Sequence, residues 1–212
     1  MRHTVEETRA RLIEEATRAF AEDGVHTASL LEISRRAGQR NRGAVHYHFG
    51  SRMGMVAAVL GQHLDLVAAR ERELLDLAHA SPAADLAPVV SALVLPCLEL
   101  ADLGSPGRWY LMVLNELTEE GLDSLDPDVY EVVEQLGGFE VLDLLEERIP
   151  PIPDDVRAER IPLVTSFILH SIAARGRALE QRPPSGRAQL ATEPFAQNLI
   201  AMVVAMLRAP VG

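Results

Sequence analysis

The chain has 212 residues, of which 48% are hydrophobic, and a formal net charge of −11 at pH 7. A chain of this length and composition can bury a sizeable core in one large domain, or in a small and a medium one. Its single cysteine, Cys97, excludes an internal disulfide, and it has neither an apolar N-terminal run nor about eighteen consecutive apolar residues. We therefore expect a soluble, cytoplasmic protein with no signal peptide and no membrane span.

The negative charge is unevenly distributed, which matters because DNA-binding surfaces are basic. Residues 1–60 contain nine arginines and seven acidic residues, whereas residues 61–212 contain eleven arginines and 24 acidic residues. Between residues 29 and 52, five arginines accompany a single acidic residue. This basic segment on an acidic body is typical of a small DNA-binding module.

Two helices are predicted in the first 37 residues. The first spans residues 4–21, where apolar side chains recur at helical spacing on one face. The second follows Ser29, whose hydroxyl can cap it, and Glu32 three residues later completes a capping-box pattern. Gly38 supplies the backbone freedom that ends this helix.

A third short helix is predicted after the turn residues 39–41, with Val45 and Phe49 one turn apart on its buried edge. Its other face carries small and hydrogen-bonding side chains: Arg42, Gly43, Ala44, His46 and Tyr47. Two short helices around a glycine turn form a helix-turn-helix when small residues let the second helix enter a DNA major groove about 12 Å wide. An ordinary helical hairpin with a solvated basic face is the alternative interpretation.

This segment resembles the N-terminal domain of TetR-type transcriptional regulators. The resemblance rests on residue type and spacing at Phe20, Gly24, Ser29, Ile33, Ala37-Gly38, His48-Phe49 and Ser51-Arg52, followed by a long apolar helix. It covers about the first quarter of the chain, and the remainder is similar only in its all-helical pattern and length. It implies an all-α fold, with a three-helix helix-turn-helix DNA-binding domain at residues 1–51 and a larger helical ligand-binding and dimerisation domain at residues 52–212.

The resemblance also implies contacts with DNA, in which side chains on phosphates position the protein and side chains on base edges specify the sequence. It places on base edges Gln39, Arg40, Asn41, Arg42, Ala44 and His46. It places on phosphates Thr27, Ser29, Tyr47, His48 and Arg52. Among these, His48 is better interpreted as a packing residue.

Two features depart from the family pattern. The connection between Ala37-Gly38 and His48-Phe49 is one residue longer than in most members, and His46 occupies the position of a phosphate-binding tyrosine. Tyr47 follows directly and can take that role. Arg52 replaces the usual lysine, and arginine binds phosphate at least as well through its planar guanidinium group.

The rest of the chain is predicted to be helical between turns that contain proline and glycine. The expected helices are residues 52–79, 84–103, 108–120, 127–147, 154–181 and 193–208. The run Arg70-Glu71-Arg72-Glu73 is interpreted as the solvent side of the first of these. Pro96 should kink the second because proline removes a backbone donor, and Gly137-Gly138 should bend the fourth.

The last helix is apolar nearly all round, which requires burial on more than one side. In TetR-type proteins the last two helices pair with those of a second subunit, so the resemblance implies a homodimer through helices 154–181 and 193–208. A two-fold dimer would place two recognition helices about 34 Å apart, or a multiple of it, on a near-palindromic double-stranded DNA operator. Burial inside one subunit is the alternative for the last helix.

The resemblance also implies a small-molecule pocket in the helical body. The candidates for its lining are Val67, Leu93, Trp109, Met112, Val113, Asn115, Phe139, Phe167, His170 and Ser171. Such a set suits a small, largely apolar ligand, and it equally suits an ordinary core. His170 and Asn115 are the most informative members, because a buried polar group needs a partner.

Enzymatic activity, a cofactor and a metal site are not expected. Ser166 and His170 lie one helical turn apart, but no nucleophile sits on a tight strand-to-helix turn and no glycine-rich phosphate loop occurs. His46 and His48 point to different sides of a helix and make a poor metal pair. The sequence favours a ligand-responsive transcriptional repressor, with a DNA-binding regulator or architectural factor controlled by a protein partner as the alternative.

Overall fold

The computed structural model describes residues 4–39, 41, 43–119, 121, 124–135, 138–181 and 188–211. Within these ranges all regular secondary structure is helical, which confirms the all-α fold expected from the sequence. The buried residues of the N-terminal helices and of the body form one continuous apolar core. The helix-turn-helix unit is therefore seated on the body by direct packing.

The N-terminal unit contains three helices: α1 (Val5–Asp23), α2 (Leu30–Arg36) and α3 (Ala44–Phe49). Helix α1 begins with a full capping box, because the Thr4 hydroxyl accepts from the backbone N–H of Glu7 at 3.1 Å while the Glu7 carboxylate accepts from the backbone N–H of Thr4 at 3.0 Å. At Ser29 only half of the expected box forms. Its hydroxyl accepts from the backbone N–H of Glu32, whose carboxylate bonds to arginines instead.

The connecting segment is divided where the sequence predicted one helix over residues 52–79. Helix α4 (Arg52–Leu60) is followed by a 3-10 turn (Gly61–His63) and then by α5 (Leu64–His79). The Gln62 side chain holds the turn, since its Nε2 donates to Thr17 Oγ1 at 2.9 Å and to the Val59 carbonyl at 3.0 Å. A tight 3-10 turn inside a helical segment often marks a hinge.

Two long helices form the centre of the body: α6 (Ala87–Asp102) and α7 (Ser105–Glu119). Pro96 lies inside α6, as expected. Gly107 brings the two helices together, because a Cβ atom at this position would lie 1.9 Å from the Leu100 carbonyl oxygen. Helix α7 also packs against α1, so it touches both the N-terminal unit and the body.

The single helix expected over residues 127–147 is also divided, into α8 (Pro127–Glu134) and α9 (Gly138–Arg148). Gly138 opens α9, while Gly137 lies outside the described residues. The last two helices are α10 (Asp154–Glu180) and α11 (Thr192–Leu207), close to the predicted bounds. Residues 182–187, between these two helices, are not among the described residues.

Helix α11 buries one side against α6 and α10 and leaves the other side accessible. The buried side consists of Ala196, Leu199, Val203 and Leu207. On the accessible side, Met202 is 44% exposed, and Leu163 on α10 is also exposed. The body therefore supplies only part of the burial that the apolar composition of α11 requires.

Candidate DNA-binding surface and ligand cavity

The turn between α2 and α3 has a defined geometry. Helix α2 ends in a Schellman motif, in which the Gly38 N–H donates to the Arg35 carbonyl at 3.0 Å and the Gln39 N–H donates to the Ser34 carbonyl at 2.9 Å. Gly38 has φ of +75°, which a residue with a side chain adopts only with strain. Asn41 then accepts from the Gly43 N–H at 2.9 Å, which sets the start of α3.

Helix α3 and the turn before it present several of the predicted DNA contacts to solvent. Tyr47 is 76% exposed, and Asn41 and His46 are also exposed. Gln39 is half-buried, and its Nε2 donates to the Ala37 carbonyl at 3.4 Å. Arg40 and Arg42, both expected on base edges, lie outside the described residues.

Ala44 takes a different position from the one expected on a base edge. It is only 5% exposed and packs with Val45 in the core of the N-terminal unit. Its backbone N–H donates to the Asn41 carbonyl at 3.2 Å. Its small side chain therefore serves the packing of α3 and does not face the groove.

Three of the expected phosphate contacts hold the unit together internally. The Thr27 hydroxyl donates to the Asp23 carbonyl, and the Ser29 hydroxyl caps α2. Arg52 donates from Nη1 to the carbonyls of Val25 and Ala28, at 2.8 and 2.9 Å. These side chains fix the loop between α1 and α2.

The basic charge of the segment is partly neutralised within the protein. Glu32 accepts from Arg35 at 2.8 Å and from Arg36 at 2.9 Å. These hydrogen bonds lower the pKa of Glu32 to about 2, so the carboxylate stays ionised. Of the five arginines between residues 29 and 52, Arg35, Arg36 and Arg52 thus have internal partners, and the other two lie in the undescribed part of the turn.

The recognition helix is fixed against α1 and α4. The Arg9 guanidinium lies 5.2 Å from the centroid of the Phe49 ring, and the half-buried His48 ring lies 5.0 Å from that of Tyr47. A Cβ atom on Gly54 would lie 2.1 Å from the Phe49 carbonyl oxygen, so only glycine permits this approach of α4 to the end of α3. The ring of His48 also lies 6.1 Å from that of Phe49, so it contacts the rings of its two neighbours on the same helix.

A hydrogen bond joins the body to the helix-turn-helix unit. Glu116 on α7 accepts from the backbone N–H of Val25 at 2.8 Å, in the loop between α1 and α2. Val25 is fully buried, and its carbonyl accepts one of the two hydrogen bonds from Arg52. The loop that supports α2 is thus held from both sides.

The body contains a largely apolar cavity of about 520 Å³. Helices α5 to α10 all contribute to its wall, with Tyr110, Leu114 and Thr118 standing one turn apart along α7. Three of the predicted lining residues are part of the wall: Val67, Leu93 and Phe139. This volume is in the range that accommodates a drug-sized molecule.

The other predicted lining residues do not belong to the wall of this cavity: Trp109, Met112, Val113, Asn115, Phe167, His170 and Ser171. Asn115 is buried and His170 is exposed, and the two share one polar partner. Asn115 Nδ2 lies 2.9 Å and His170 Nδ1 lies 3.1 Å from the same atom, Glu119 Oε1. This cluster ties α7 to α10, and these hydrogen bonds lower the pKa of Glu119.

Glu71 is a cavity residue that the sequence analysis did not predict, and its interpretation as a solvent-side residue is wrong. It is 7% exposed and lines the cavity beside Val67. A sequence signal for this position exists, because Val67, Glu71, Leu74, Leu75 and Ala78 form one buried face at helical spacing. Burial raises the pKa of Glu71 to about 8.

Metal-binding clusters and membrane-spanning helices are both absent from the described residues. No three or more His, Cys, Asp or Glu side chains in this part of the chain are grouped so that they could hold a metal ion. None of the helices in the same ranges is both long and apolar enough to cross a bilayer.

Residues 12–59 match the family model of the bacterial regulatory proteins of the tetR family. The chain is similar to the HTH-type transcriptional regulator SrpR of Pseudomonas putida, with 46% identity over 55 residues, which are 26% of this chain and 25% of SrpR. It is also 44% identical over 55 residues to the HTH-type transcriptional regulator TtgR of the same species, covering 26% of each chain. The matched segment thus spans about a quarter of these relatives.

Solved structures extend the similarity to the whole fold. A mutant of HlyIIR superposes with a TM-score of 0.60 at 15% identity, covering 95% of this chain and 97% of that one. A tetR-family regulatory protein from Rhodococcus RHA1 superposes with a TM-score of 0.59 at 18% identity, covering 96% and 98%. The helix-turn-helix segment is thus similar in sequence to bacterial regulatory proteins of the tetR family, and the whole chain shares its fold with solved tetR-family proteins.

Proposed function

We propose that this protein is a sequence-specific DNA-binding repressor that leaves its operator when a small, largely apolar molecule occupies the cavity. The observation that carries the proposal is the position of α7. Tyr110, Leu114 and Thr118 on this helix line the cavity, and Glu116 on the same helix binds the loop that supports α2. One rigid element thus contacts both a ligand cavity and the DNA-binding unit.

DNA recognition follows from the exposed residues of the turn and of α3. Asn41 and His46 offer hydrogen-bond donors and acceptors to base edges, with Gln39 beside them. The exposed hydroxyl of Tyr47 suits a phosphate contact that fixes the position of the helix in the groove. Arg40 and Arg42 remain predicted base contacts from the sequence.

Release requires a ligand that binds one arrangement of the body better than another, because a ligand with equal affinity for both shifts no equilibrium. A molecule filling the cavity presses on the side of α7 that carries Leu114 and Thr118. A displacement of α7 reaches the loop at Val25 through Glu116. The division of the connecting segment at Gly61–His63 lets α4 move relative to α5.

A homodimer through α10 and α11 completes the proposal. Leu163 and Leu179 on α10 and Met202 on α11 are exposed, although apolar side chains of this size are usually buried. Pairing these helices with their two-fold copies would cover them. It would also present two recognition helices to successive major grooves of a near-palindromic operator.

The test is fluorescence anisotropy with labelled DNA from upstream of the protein's own gene and a shuffled duplex of equal length. We expect the protein to bind the native sequence at least about 10³-fold more tightly at physiological salt, with affinity falling as salt rises. A library of apolar compounds is then screened for release of the DNA.

The results separate this function from its alternative. Sequence-selective binding that compounds reverse supports the ligand-responsive repressor. Binding that is selective but insensitive to every compound that enters the cavity contradicts release by a ligand and favours control by a protein partner. Binding of equal strength to both duplexes, tested also with operators elsewhere in the genome, contradicts specific recognition.

A further inference from the structure

Glu71 is an unusual component of the cavity wall. Its side chain comes from α5 and is more than nine-tenths buried, and its Oε2 atom has no hydrogen-bond partner among the described residues. The surrounding wall is largely apolar, with Val67, Leu93 and Leu114 among its members. A buried carboxyl oxygen without a partner is costly, which suggests that something outside the protein satisfies it.

The groups that face Glu71 in the described part of the chain offer no positive charge. Cys97 on α6 and Tyr110 on α7 interact with it electrostatically, and their own pKa values are raised by burial, so both stay neutral near pH 7. Burial alone accounts for the raised pKa of Glu71, without an opposing effect from an arginine or histidine. Its neighbour Arg70 bonds instead to Glu73 and Glu99.

Three other polar groups of the wall already have partners. The hydroxyls of Thr118 and Thr165 donate to backbone carbonyls of their own helices at 3.0–3.1 Å. The Tyr110 hydroxyl donates to the Leu60 carbonyl at 3.2 Å. Within the described lining, Glu71 is thus the group that can carry a charge near neutral pH.

We propose that the effector of this protein is an apolar molecule that carries a protonated amine, and that the ammonium group donates a hydrogen bond to Glu71 Oε2. The inference rests on the proposed role of the cavity as an effector site and adds the chemical class of its ligand. An ammonium–carboxylate pair is a charge-assisted hydrogen bond, which is stronger than a neutral one and stronger still in an apolar surrounding.

The other ligand charges fit less well. An anionic ligand could accept a hydrogen bond from the protonated carboxyl group, but no cation in the described wall would balance its charge. A neutral alcohol can bond to the carboxyl group, but without the attraction between opposite charges. The apolar part of the ligand would contact residues such as Phe139 and Leu142 on α9.

The proposal requires Glu71 to lose a proton when the ligand binds. In the empty cavity near pH 7 the carboxyl group is largely protonated, because its pKa is about 8. When the ammonium ion binds, Glu71 releases its proton to solvent and the two charges pair. Affinity should therefore increase as pH rises from about 6 to 8, until the amine itself loses its proton.

Isothermal titration calorimetry with three probes on one scaffold tests the inference: 1-naphthylmethylamine, 1-naphthylmethanol and 1-naphthoate. We expect the full-length protein to bind the amine at least about tenfold more tightly than the alcohol or the carboxylate. In two buffers of different ionisation enthalpy, the heats should differ by the release of close to one proton per amine at pH 7.

Two variants test whether Glu71 causes the preference for the amine and the proton release. Glu71→Gln keeps the shape of the side chain and should remove both the preference for the amine and the proton release. Glu73→Gln changes the same charge two residues away, on an exposed side chain, and should leave both unchanged. The comparison of probes and the proton count need only the wild-type protein, so they decide the question even if Glu71→Gln does not fold.

The inference is overturned if the alcohol or the carboxylate binds as tightly as the amine, if no probe binds, or if Glu71→Gln keeps the preference. The same samples are titrated into the protein–DNA complex. Preference for the amine without release of DNA would contradict the proposed repressor function while leaving the ligand class intact. Release of DNA by neutral compounds alone would support the proposed repressor function and contradict the amine as the ligand class.

Discussion

Glu116 accepts a 2.8 Å hydrogen bond from the backbone N–H of Val25, a residue 91 positions earlier in the chain. The bond joins α7 to the loop between α1 and α2, and its donor is fully buried. Without an acceptor, this N–H would be left unpaired in the protein interior. The contact therefore contributes to stability and also connects α7, which lines the cavity, to the helix-turn-helix unit.

Replacing Glu116 by alanine should lower the free energy of unfolding by about 1–3 kcal/mol, because a buried donor loses its partner. Glu116→Gln is the matched control, since its side-chain carbonyl can still accept the bond, and it should cost less than the alanine variant. Urea unfolding gives the free energies, and hydrogen exchange of the Val25 amide reports the bond directly. Equal exchange in both variants would show that the contact does not protect this amide.

Tyr47 should contribute to operator affinity without contributing to the fold. Its side chain is exposed on α3, so Tyr47→Ala should leave the unfolding temperature nearly unchanged and weaken operator binding by about 1–3 kcal/mol. Tyr130→Ala, at an exposed tyrosine on α8, is the control and should not affect DNA binding. Anisotropy titrations that give the same affinity for both variants would remove Tyr47 from the interface.

Glu71 should make the protein less stable as pH rises. Its pKa is about 8 in the folded protein and near 4.5 when exposed, so the folded state holds an extra proton between these values. The free energy of unfolding contributed by this group is highest below pH 4.5 and falls as pH rises to 8, by on the order of 2–4 kcal/mol.

Glu71→Gln cannot titrate, so its stability relative to wild type should increase across this pH range. Urea unfolding at several pH values from 5 to 9 measures the difference. Glu73→Gln serves as the control because its exposed carboxylate should contribute little. A constant difference between Glu71→Gln and wild type would mean that Glu71 titrates normally in the folded protein.

Two glycines in the connecting segment should respond in opposite ways to alanine. At Gly54, a Cβ atom would lie 2.1 Å from the Phe49 carbonyl oxygen, and the resulting displacement should cost about 1–3 kcal/mol and weaken DNA binding. At Gly61, φ is −65° and no atom lies within 4 Å of the added carbon. Gly61→Ala should therefore raise stability by about 0.4–1 kcal/mol. Thermal unfolding compares them, and equal stability of the two variants would contradict the tight approach of α4 to α3.

Met202 should belong to the dimer interface. Introducing a charge there, as Met202→Glu, should convert the dimer to a monomer and weaken binding to a full operator, because a monomer engages one half-site. Leu77→Glu places the same charge at an exposed leucine on α5 and should leave the dimer intact. Light scattering after size-exclusion chromatography measures the molar mass of each variant in solution. A dimeric Met202→Glu protein would place the interface elsewhere.

The sequence was most informative where structure depends on neighbouring residues. Helix α1, the cap at Ser29 and the glycine stop at Gly38 are encoded within a few positions, and all three are present. The division at Gly61–His63 was not predictable, because apolar residues continue through it at helical spacing. It depends on the bond from Gln62 to Thr17, a residue 45 positions earlier.

The sites were harder to predict because side chains have alternative partners. Arg52 and Ser29 carry the chemistry of phosphate contacts, yet they bond to nearby backbone groups. Glu71 stands in a run of alternating charges that suggests a solvated surface, while its position relative to Val67 and Leu74 places it inside. Charge alone was misleading there, and periodicity was the better guide.

The 3-10 turn at residues 61–63 lies where the family sequence match ends, at residue 59. The segment proposed to bind DNA and the segment that encloses the cavity therefore meet at this turn. A chimera joined at Gly61 could combine the N-terminal segment of one regulator with the helical body of another and keep the operator specificity of the first. Such a graft would work only if it preserved the hydrogen bonds across the joint, which are Gln62 to Thr17, Tyr110 to Leu60, and Val25 to Glu116.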